Sequence, residues 1–174
     1  MAKILKLKGV VRWAKLFPDD LDMGDDKTRA GKDLKKRGGQ SVLNLYPVDD
    51  DMEAMVEKLV DAEVDMKPLG HERVKKDKDG KEFIQLKRYL VGPKDEDGNV
   101  IEALSGPVEV FDEDGDAWDL DERGPIGNGS VIGCVCDIYS GNLRLRAVRV
   151  LEHVEYDPSA HAEDNKDLVN DDDW

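Results

Sequence analysis

Three acidic turns of one kind lie in the middle of the chain and constrain its fold. Each has the pattern Asp-x-Asp-Gly, and they cover residues 77–80, 95–98 and 112–115. Short runs containing β-forming residues flank each turn, and glycine readily adopts the left-handed backbone conformation that such turns need. The pattern therefore predicts an antiparallel β-meander.

The same turns resemble the opening of a calcium-binding loop, which also needs glycine at its sixth position and glutamate at its twelfth. Counted from Asp112, these positions hold Ala117 and Arg123. The turn at 95–98 fails the same test, so we expect no calcium site.

A long N-terminal strand is predicted over residues 3–17, where apolar and basic side chains alternate around Gly9. Glycine inside a strand is typical of a bend or bulge, which we expect at this position. In one arrangement Trp13, Lys15 and Phe17 share the solvent face. In the other, Trp13 and Phe17 pack in the core, as large aromatic side chains most often do. The first arrangement places three residues in the core: Val10, Ala14 and Leu16.

A second strand and the one convincing helix follow. Residues 41–48 predict a strand with Leu43 and Leu45 on one face and Asn44 and Tyr46 on the other. A helix capped by Asp49 or Asp50 comes next, and its apolar residues repeat with helical spacing. These residues are Met52, Met55, Val56, Leu59 and Val60.

Two further strands are predicted near the C-terminus, over residues 131–139 and 143–156, joined by a hairpin at 140–142. Arg144 and Arg146 share one face of the second strand. They either line a binding groove or coat the outside of the domain.

Composition narrows the function classes. The chain has 174 residues and a formal net charge of −14, so any nucleic-acid site must be a local basic patch. No apolar run is long enough for a membrane span, and the first residues do not resemble a signal peptide. Cys134 and Cys136 lie two apart in a predicted strand, where they are unlikely partners for a disulfide, and a reducing cytosol fits.

One local basic patch lies between residues 27 and 37. This segment contains six basic residues and a single acid, Asp33, and it carries glycine. It is either a solvated loop or an arm that binds phosphates, and electrostatics favours the arm.

The strand after the first acidic turn predicts a second element of a nucleic-acid site. Phe83, Gln85, Lys87 and Tyr89 alternate with a face formed by Ile84, Leu86 and Leu90. Aromatic rings beside a cation on an exposed face are typical of proteins that bind single strands, where bases stack on rings and phosphates meet cations. The alternative is that Phe83 and Tyr89 pack under a loop.

The last seventeen residues, 158–174, contain six carboxylates and one lysine. Such a segment buries too little apolar surface to fold, so we expect a mobile tail. An indole at an acidic free end favours an interaction tail over a merely solvating one. The residues expected to contact a partner are Asp171, Asp172, Asp173 and Trp174.

Together these features resemble the acidic-tailed single-stranded-DNA-binding proteins that tailed phages encode. The residues that carry the resemblance are the Ile-Gly-Asn-Gly-Ser turn at 126–130, the strand pair up to Val154, and the acidic end at 171–174. The resemblance implies an oligonucleotide-binding (OB) fold over residues 1–157, a five-stranded antiparallel barrel with one inserted helix. It also implies a flexible tail at 158–174. The better-known tails of that family end in phenylalanine, whereas this one ends in tryptophan.

The resemblance implies a protein without enzymatic activity that coats single strands in the cytoplasm of an infected host cell. Its expected partners are single-stranded DNA and, through the tail, the replicative DNA polymerase and helicase. Its expected roles are in DNA replication, recombination and repair, with a homodimer left open and no membrane, metal or cofactor. The expected DNA-binding residues are Trp13, Lys15, Lys32, Lys35, Lys36, Arg37, Tyr46, Arg73, Lys75, Lys76, Phe83, Lys87, Tyr89, Arg144 and Arg146.

Two other classes compete with this hypothesis. A metal-dependent nuclease needs carboxylates that converge on Mg²⁺, whereas the acids here cluster at turns and in the tail. A DNA-mimic or inhibitor protein would use the acidic surface itself and would have no use for the basic segment at 27–37.

Overall fold

A single seven-stranded sheet dominates the computed structural model, which describes residues 3–17, 21, 38–49 and 51–155. In chain order the strands and α-helices are β1 (Lys3–Lys15), β2 (Gln40–Tyr46), α1 (Met52–Asp61), β3 (Val74–Lys76), β4 (Glu82–Tyr89), β5 (Glu109–Phe111), α2 (Leu120–Arg123), β6 (Val131–Tyr139) and β7 (Asn142–Glu152). The strand order is β3-β4-β2-β1-β6-β7-β5, and every pairing is antiparallel except the parallel pairing of β5 with β7. The mainly β expectation is confirmed.

The central strand β1 pairs with two different neighbours along its length. Residues 3–10 pair with β6, whereas the half that begins at Val10 pairs with β2. A Cβ on Gly9 would collide with the backbone carbonyl oxygen of Tyr46, so glycine permits the close approach at the point of exchange. The irregularity in register lies between Arg12 and Lys15, not at Gly9 as expected, and Trp13 there has a φ of 54°.

The irregularity also changes which residues of β1 face the core. Val11 is fully buried in place of the predicted Val10, and Leu16 is buried as expected. Phe17, which was predicted to share the solvent face with Trp13, is half-buried and packs against the core. An extra residue on one strand shifts the alternation of faces by one position, which accounts for the mixed result.

The expectation of a closed five-stranded barrel is wrong. The sheet ends at β3 and β5, and in the described part of the chain no ladder of backbone hydrogen bonds joins β4 to β7. Strand β5 occupies the outer edge of β7 at residues 147–149, and β3 occupies the outer edge of β4 at residues 82–84. The pairing of β3 with β4 follows from the predicted turn at 77–80. The parallel pairing of β5 with β7 was not predicted, because a three-residue strand gives a weak pattern in a sequence.

Helix α1 packs its methionine stripe into the core, as its spacing predicts. Met52, Met55 and Leu59 are buried, whereas Val60 is exposed. The cap is Asp51, not Asp49 or Asp50, and its carboxylate accepts a hydrogen bond from the amide of Ala54 at 3.2 Å. The single-turn helix α2 was not predicted, and no described helix is long and apolar enough to cross a membrane.

All three acidic turns form as predicted, with glycine at positive φ. In each turn the first aspartate accepts hydrogen bonds from the amides two and four residues ahead. The first turn joins β3 to β4, and the other two close isolated bridges.

The cysteines are free and buried in β6, in agreement with the prediction. Burial raises the pKa of the Cys136 thiol to about 12 and that of Cys134 well above its usual value. The structure therefore gives them a packing role.

Candidate nucleic-acid interface

The outer faces of β1, β2 and β4 lie side by side on one side of the sheet, where Gln40, Val42, Tyr46 and Phe83 are buried and the other residues are at least partly exposed. Side chains that lie opposite each other in register share a face of a sheet, so the register defines rows of neighbours across the three strands. From one end of the surface to the other the rows are Val10–Tyr46, Arg12–Asn44–Gln85, Lys15–Val42–Lys87 and Gln40–Tyr89. We call this surface the outer face.

Two aromatic residues at one end of the outer face cover each other. The ring centroids of Tyr46 and Phe83 lie 5.2 Å apart, and the residues are only 8% and 9% exposed. The guanidinium of Arg12 lies 5.6 Å from the centre of the Tyr46 ring. Phe83 lies on the predicted face of β4. Its ring is buried, as in the alternative prediction that this residue packs and does not stack on bases.

Trp13 and Lys15 are exposed on the solvent side of β1, as in the first of the two predicted arrangements. Trp13 is 38% exposed, and its backbone N–H donates a hydrogen bond to Asn128 Oδ1 at 2.8 Å. Asn128 belongs to the Ile-Gly-Asn-Gly-Ser turn. That turn therefore holds the irregular segment of β1 and sets where the indole lies.

The other end of the outer face continues across the gap between β4 and β7. Tyr89 of β4 is half-buried, and the guanidinium carbon of Arg144 of β7 lies 5.1 Å from its ring centre. Arg73 is half-buried nearby, and its Nε donates to the backbone oxygen of Asp65 at 2.7 Å. Burial lowers the pKa of Arg73, Asp65 opposes this shift, and the positive charge of Arg144 adds to it. Two arginines from distant parts of the chain therefore lie within electrostatic reach of each other beside an aromatic ring.

A comparison with solved structures gives one match, and it concerns the fold. The match is the single-stranded DNA-binding protein from bacteriophage Enc34 in complex with ssDNA, with a TM-score of 0.51 and 13% sequence identity over 88% of each chain. The chain shares the fold of that phage protein. No protein-family model matches the sequence, and no curated protein matches it either. The resemblance inferred from sequence is thus confirmed at the level of the fold.

The remaining predicted residues are placed as follows. Lys75 and Lys76 are exposed on β3, where Lys75 lies opposite Phe83 in register. Four residues of the basic segment and the whole acidic end lie outside the described residues: Lys32, Lys35, Lys36, Arg37, Asp171, Asp172, Asp173 and Trp174. The chain resumes at Gly38, and the carbonyl of Gly39 accepts a hydrogen bond from the Leu90 amide at 3.1 Å, directly beside Tyr89. The basic segment therefore joins the described chain next to the outer face.

Arg146 does not share the surroundings of Arg144. It is the extra residue in an irregular stretch of β7, where Leu145 pairs with Cys136 and Ala147 with Val135. Its Nη1 lies 3.2 Å from Oδ1 of the buried Asp137. We therefore assign Arg146 to this ion pair and not to the outer face.

Sequence reasoning missed Arg88, whose side chain points inward from β4. It follows Ile84 and Leu86 on the core side, whereas Leu90, which was predicted for that face, is exposed. Its guanidinium donates to the carbonyl oxygens of Ser105, Gly106 and Leu145, at 3.1 Å for Gly106 and 3.4 Å for Leu145. Strict alternation along β4 would have placed Arg88 inside, but a charged residue seemed an improbable core residue.

The acidic side of the molecule contains the one group of carboxylates, among the described residues, with spacing suited to a cation. Ligand atoms of Asp112, Asp114 and Asp116 lie within 4.8 Å of one another. Oδ1 of Asp112 already accepts the amides of Asp114 and Asp116 within the turn, each at 2.9 Å. The turn geometry alone accounts for this cluster.

Proposed function

We propose that this protein binds single-stranded DNA without sequence specificity, along the outer face. The observation that carries the proposal is the combination of aromatic rings with cations from several strands on one surface of a chain whose net charge is −14. The fold shared with a phage protein that was solved with ssDNA supports it.

The chemistry of the face suits a flexible single strand. Bases stack on exposed rings whatever their identity, and phosphates are held by lysine and arginine. Lys15 and Lys87 share a row on strands two positions apart, and adjacent strands are about 4.8 Å apart, so the backbones of these two lysines are separated by about 10 Å. Trp13 lies beside that row, and Tyr89 with Arg144 extends it toward β7. A strand crossing the face would meet rings and cations in alternation.

The proposed biological role is to coat and protect single strands during phage DNA replication, recombination and repair, in the cytoplasm of the infected cell. In this proposal the protein is a binding protein and not an enzyme. The basic segment at 27–37 would add a phosphate-binding arm beside the face.

A titration of fluorescent oligo-dT at two salt concentrations, alongside duplex DNA of the same length, tests this function. Affinity for oligo-dT should fall with salt, with a log–log slope of about −0.7 per phosphate neutralised. Sequence should matter little. Equal or tighter binding to the duplex contradicts the proposal, an absolute requirement for a divalent cation with strand cleavage supports a nuclease, and no DNA binding at all supports the DNA-mimic alternative.

We further propose that the acidic end, Asp171 to Trp174, recruits the replicative polymerase or helicase. The six carboxylates of residues 158–174 form a polyanion that competes with DNA phosphates for the same cations. A seventeen-residue chain without fixed structure spans on the order of 20 Å, and the proposal requires the acidic end to reach the outer face over such a distance. DNA binding would then release the tail for a partner, and by linkage the partner would tighten DNA binding.

Deleting residues 158–174 should therefore raise the affinity for oligo-dT, most strongly at low salt, where charge competition is least screened. The deletion should also abolish capture of the polymerase or helicase. Trp174→Ala is the matched control, because it keeps every carboxylate: it should lose the partner and leave DNA affinity nearly unchanged. Identical affinities of the truncated and full-length proteins at low salt would refute the competition.

A further inference from the structure

One carboxylate ties the β3–β4 hairpin to the neighbouring strand β2. Asp77 accepts the hydroxyl of Tyr46 on Oδ2 at 2.9 Å. Its other oxygen, Oδ1, accepts the amides of Asp79 and Lys81 at 2.9 and 3.0 Å within the turn. We call the Tyr46–Asp77 hydrogen bond the latch.

The two other acidic turns show that the latch is not needed to form such a turn. Asp95 and Asp112 occupy the same position and each accept two amides through Oδ1. Over the ranges that the structure describes, neither has a partner that corresponds to Tyr46. The hydrogen bond that Oδ2 of Asp77 accepts from Tyr46 is therefore not needed to form the turn.

The latch holds a part of the sheet that has few other attachments. Strand β3 has only three residues and pairs only with residues 82–84 of β4, and so short an edge strand is weakly held by itself. Strand β4 is already joined to β2 by a ladder over residues 84–89, and Tyr46 packs against Phe83 of β4 and the guanidinium of Arg12. The latch therefore adds a direct link between β2 and the turn that follows the short edge strand β3.

The electrostatics of the latch are those of a strong hydrogen bond. Burial raises the pKa of Tyr46 to about 12, and the hydrogen bond to Asp77 contributes to the rise. Desolvation by itself raises the pKa of Asp77. Three hydrogen bonds outweigh it and hold the pKa below its usual value; their donors are the Lys81 amide, the Tyr46 hydroxyl and the Asp79 amide. At neutral pH the latch is thus a neutral hydroxyl donating to a full carboxylate.

The hairpin carries charges of both signs. Lys75, Lys76, Lys78 and Lys81 lie in it together with Asp77, Asp79 and Glu82, and it borders the outer face proposed to bind DNA. A carboxylate at this border repels phosphate, so removing the charge of Asp77 would by itself favour DNA binding.

We propose that Asp77 is a positioning residue for the DNA site: through Tyr46 it fixes the basic β3–β4 hairpin against β2, so that the hairpin lysines line the same surface as Arg12. This inference rests on the proposed DNA-binding function. It adds a residue that supports binding through Tyr46 and makes no favourable contact with DNA itself. If Asp77 only forms its turn, removing its charge should leave oligo-dT affinity unchanged or raise it slightly, whereas the proposal expects the affinity to fall.

Four variants of the full-length protein separate the two explanations. Asp77→Asn keeps an Oδ1 acceptor for the turn but replaces Oδ2 with a donor, and Tyr46→Phe keeps the ring but removes the hydroxyl. Both should weaken oligo-dT binding by about 10-fold or more, the effect of losing one hydrogen bond to a charged group. The matched controls Asp95→Asn and Asp112→Asn also remove one negative charge from an equivalent turn, and they should bind as tightly as the parent or slightly tighter. Asp77→Asn binding as tightly as Asp95→Asn overturns the proposal.

Hydrogen exchange tests the latch independently of DNA. Amides of residues 75–82 should exchange faster in Asp77→Asn and Tyr46→Phe, but not in the two controls. The double variant should be no worse than either single one, because both remove the same bond. Unchanged exchange in both single variants overturns the latch, even if the protein binds oligo-dT. A parent protein that fails to bind oligo-dT overturns the DNA-binding function, and the exchange experiment still decides whether the hairpin is held by Asp77.

Discussion

Replacing Arg88 with methionine should lower the free energy of unfolding by about 3–5 kcal/mol, the usual effect of removing one partner from a buried ion pair. Arg88 Nη1 lies 3.9 Å from Asp137 Oδ2, and both side chains are almost fully buried. Within the described chain this oxygen has no hydrogen bond, so Arg88 compensates Oδ2 while Arg146 pairs with Oδ1. Methionine has a similar length but leaves the buried carboxylate with only one of these two cations, Arg146.

The carbonyl groups that Arg88 satisfies add to this loss. Ser105, Gly106 and Leu145 would each lose a donor, and a buried carbonyl without a partner costs about 1–3 kcal/mol. Replacing both charges, as in Arg88→Met with Asp137→Leu, should therefore restore only part of the stability.

Urea denaturation measures the effect, and Arg146→Met provides a matched control. Arg146 contacts the same carboxylate, but its side chain is half-exposed, so its loss should cost no more than about 1 kcal/mol. A cost below about 1 kcal/mol for Arg88→Met as well would show that Asp137 does not depend on Arg88.

Arg88 also shows where sequence reasoning succeeds and where it stops. Alternation correctly placed Leu43 and Leu45 on one face of β2 and Ile84 and Leu86 on one face of β4, and all four are fully buried, whereas Leu90 is exposed. The same rule places Arg88 inside. It was overlooked because an arginine becomes acceptable in a core only when distant segments, here residues 105, 106, 137 and 145, supply its partners.

The errors on β1 and at the sheet edges have a similar origin. At the irregularity the Trp13 N–H donates a hydrogen bond to Asn128, which is more than a hundred residues away in the chain. The parallel pairing of β5 with β7 joins two segments whose own patterns carry no information about each other. Local pattern determines the facing of a regular strand, whereas bulges and edge pairings depend on tertiary contacts.

For the candidate site, the sequence identified the relevant residue types but not their exposure. Phe83 and Tyr46 lie on the predicted side of the sheet, yet each covers the other. Exposure depends on how neighbouring side chains pack, and cross-strand aromatic contacts follow from the register. Tyr46 and Phe83 become neighbours only when β2 and β4 pair, so their contact could not be read from either strand alone.

Tyr89→Ala should weaken oligo-dT binding by about 1–3 kcal/mol, the usual loss for one base-stacking ring, with the salt slope unchanged. Tyr89 is half-buried and lies beside a cation, with Arg144 5.1 Å from its ring centre, whereas Phe83, the other aromatic residue of β4, is buried. Tyr89→Phe is the matched control: it retains the ring face and should retain the affinity. Phe83→Ala should instead destabilise the domain, since it removes a packed side chain.

Arg144 should behave differently from Tyr89, and the difference separates stacking from charge. Arg144→Gln removes a cation, so it should flatten the salt dependence of binding by the equivalent of about one phosphate. The two residues face each other across the gap that Arg88 bridges from the inside, so their spacing depends on that buried arginine. Fluorescence titrations at two salt concentrations measure both effects on the same protein preparations. If Tyr89→Ala bound oligo-dT as tightly as Tyr89→Phe, no base would stack at this position, and the DNA path would have to run along β1 past Trp13 instead.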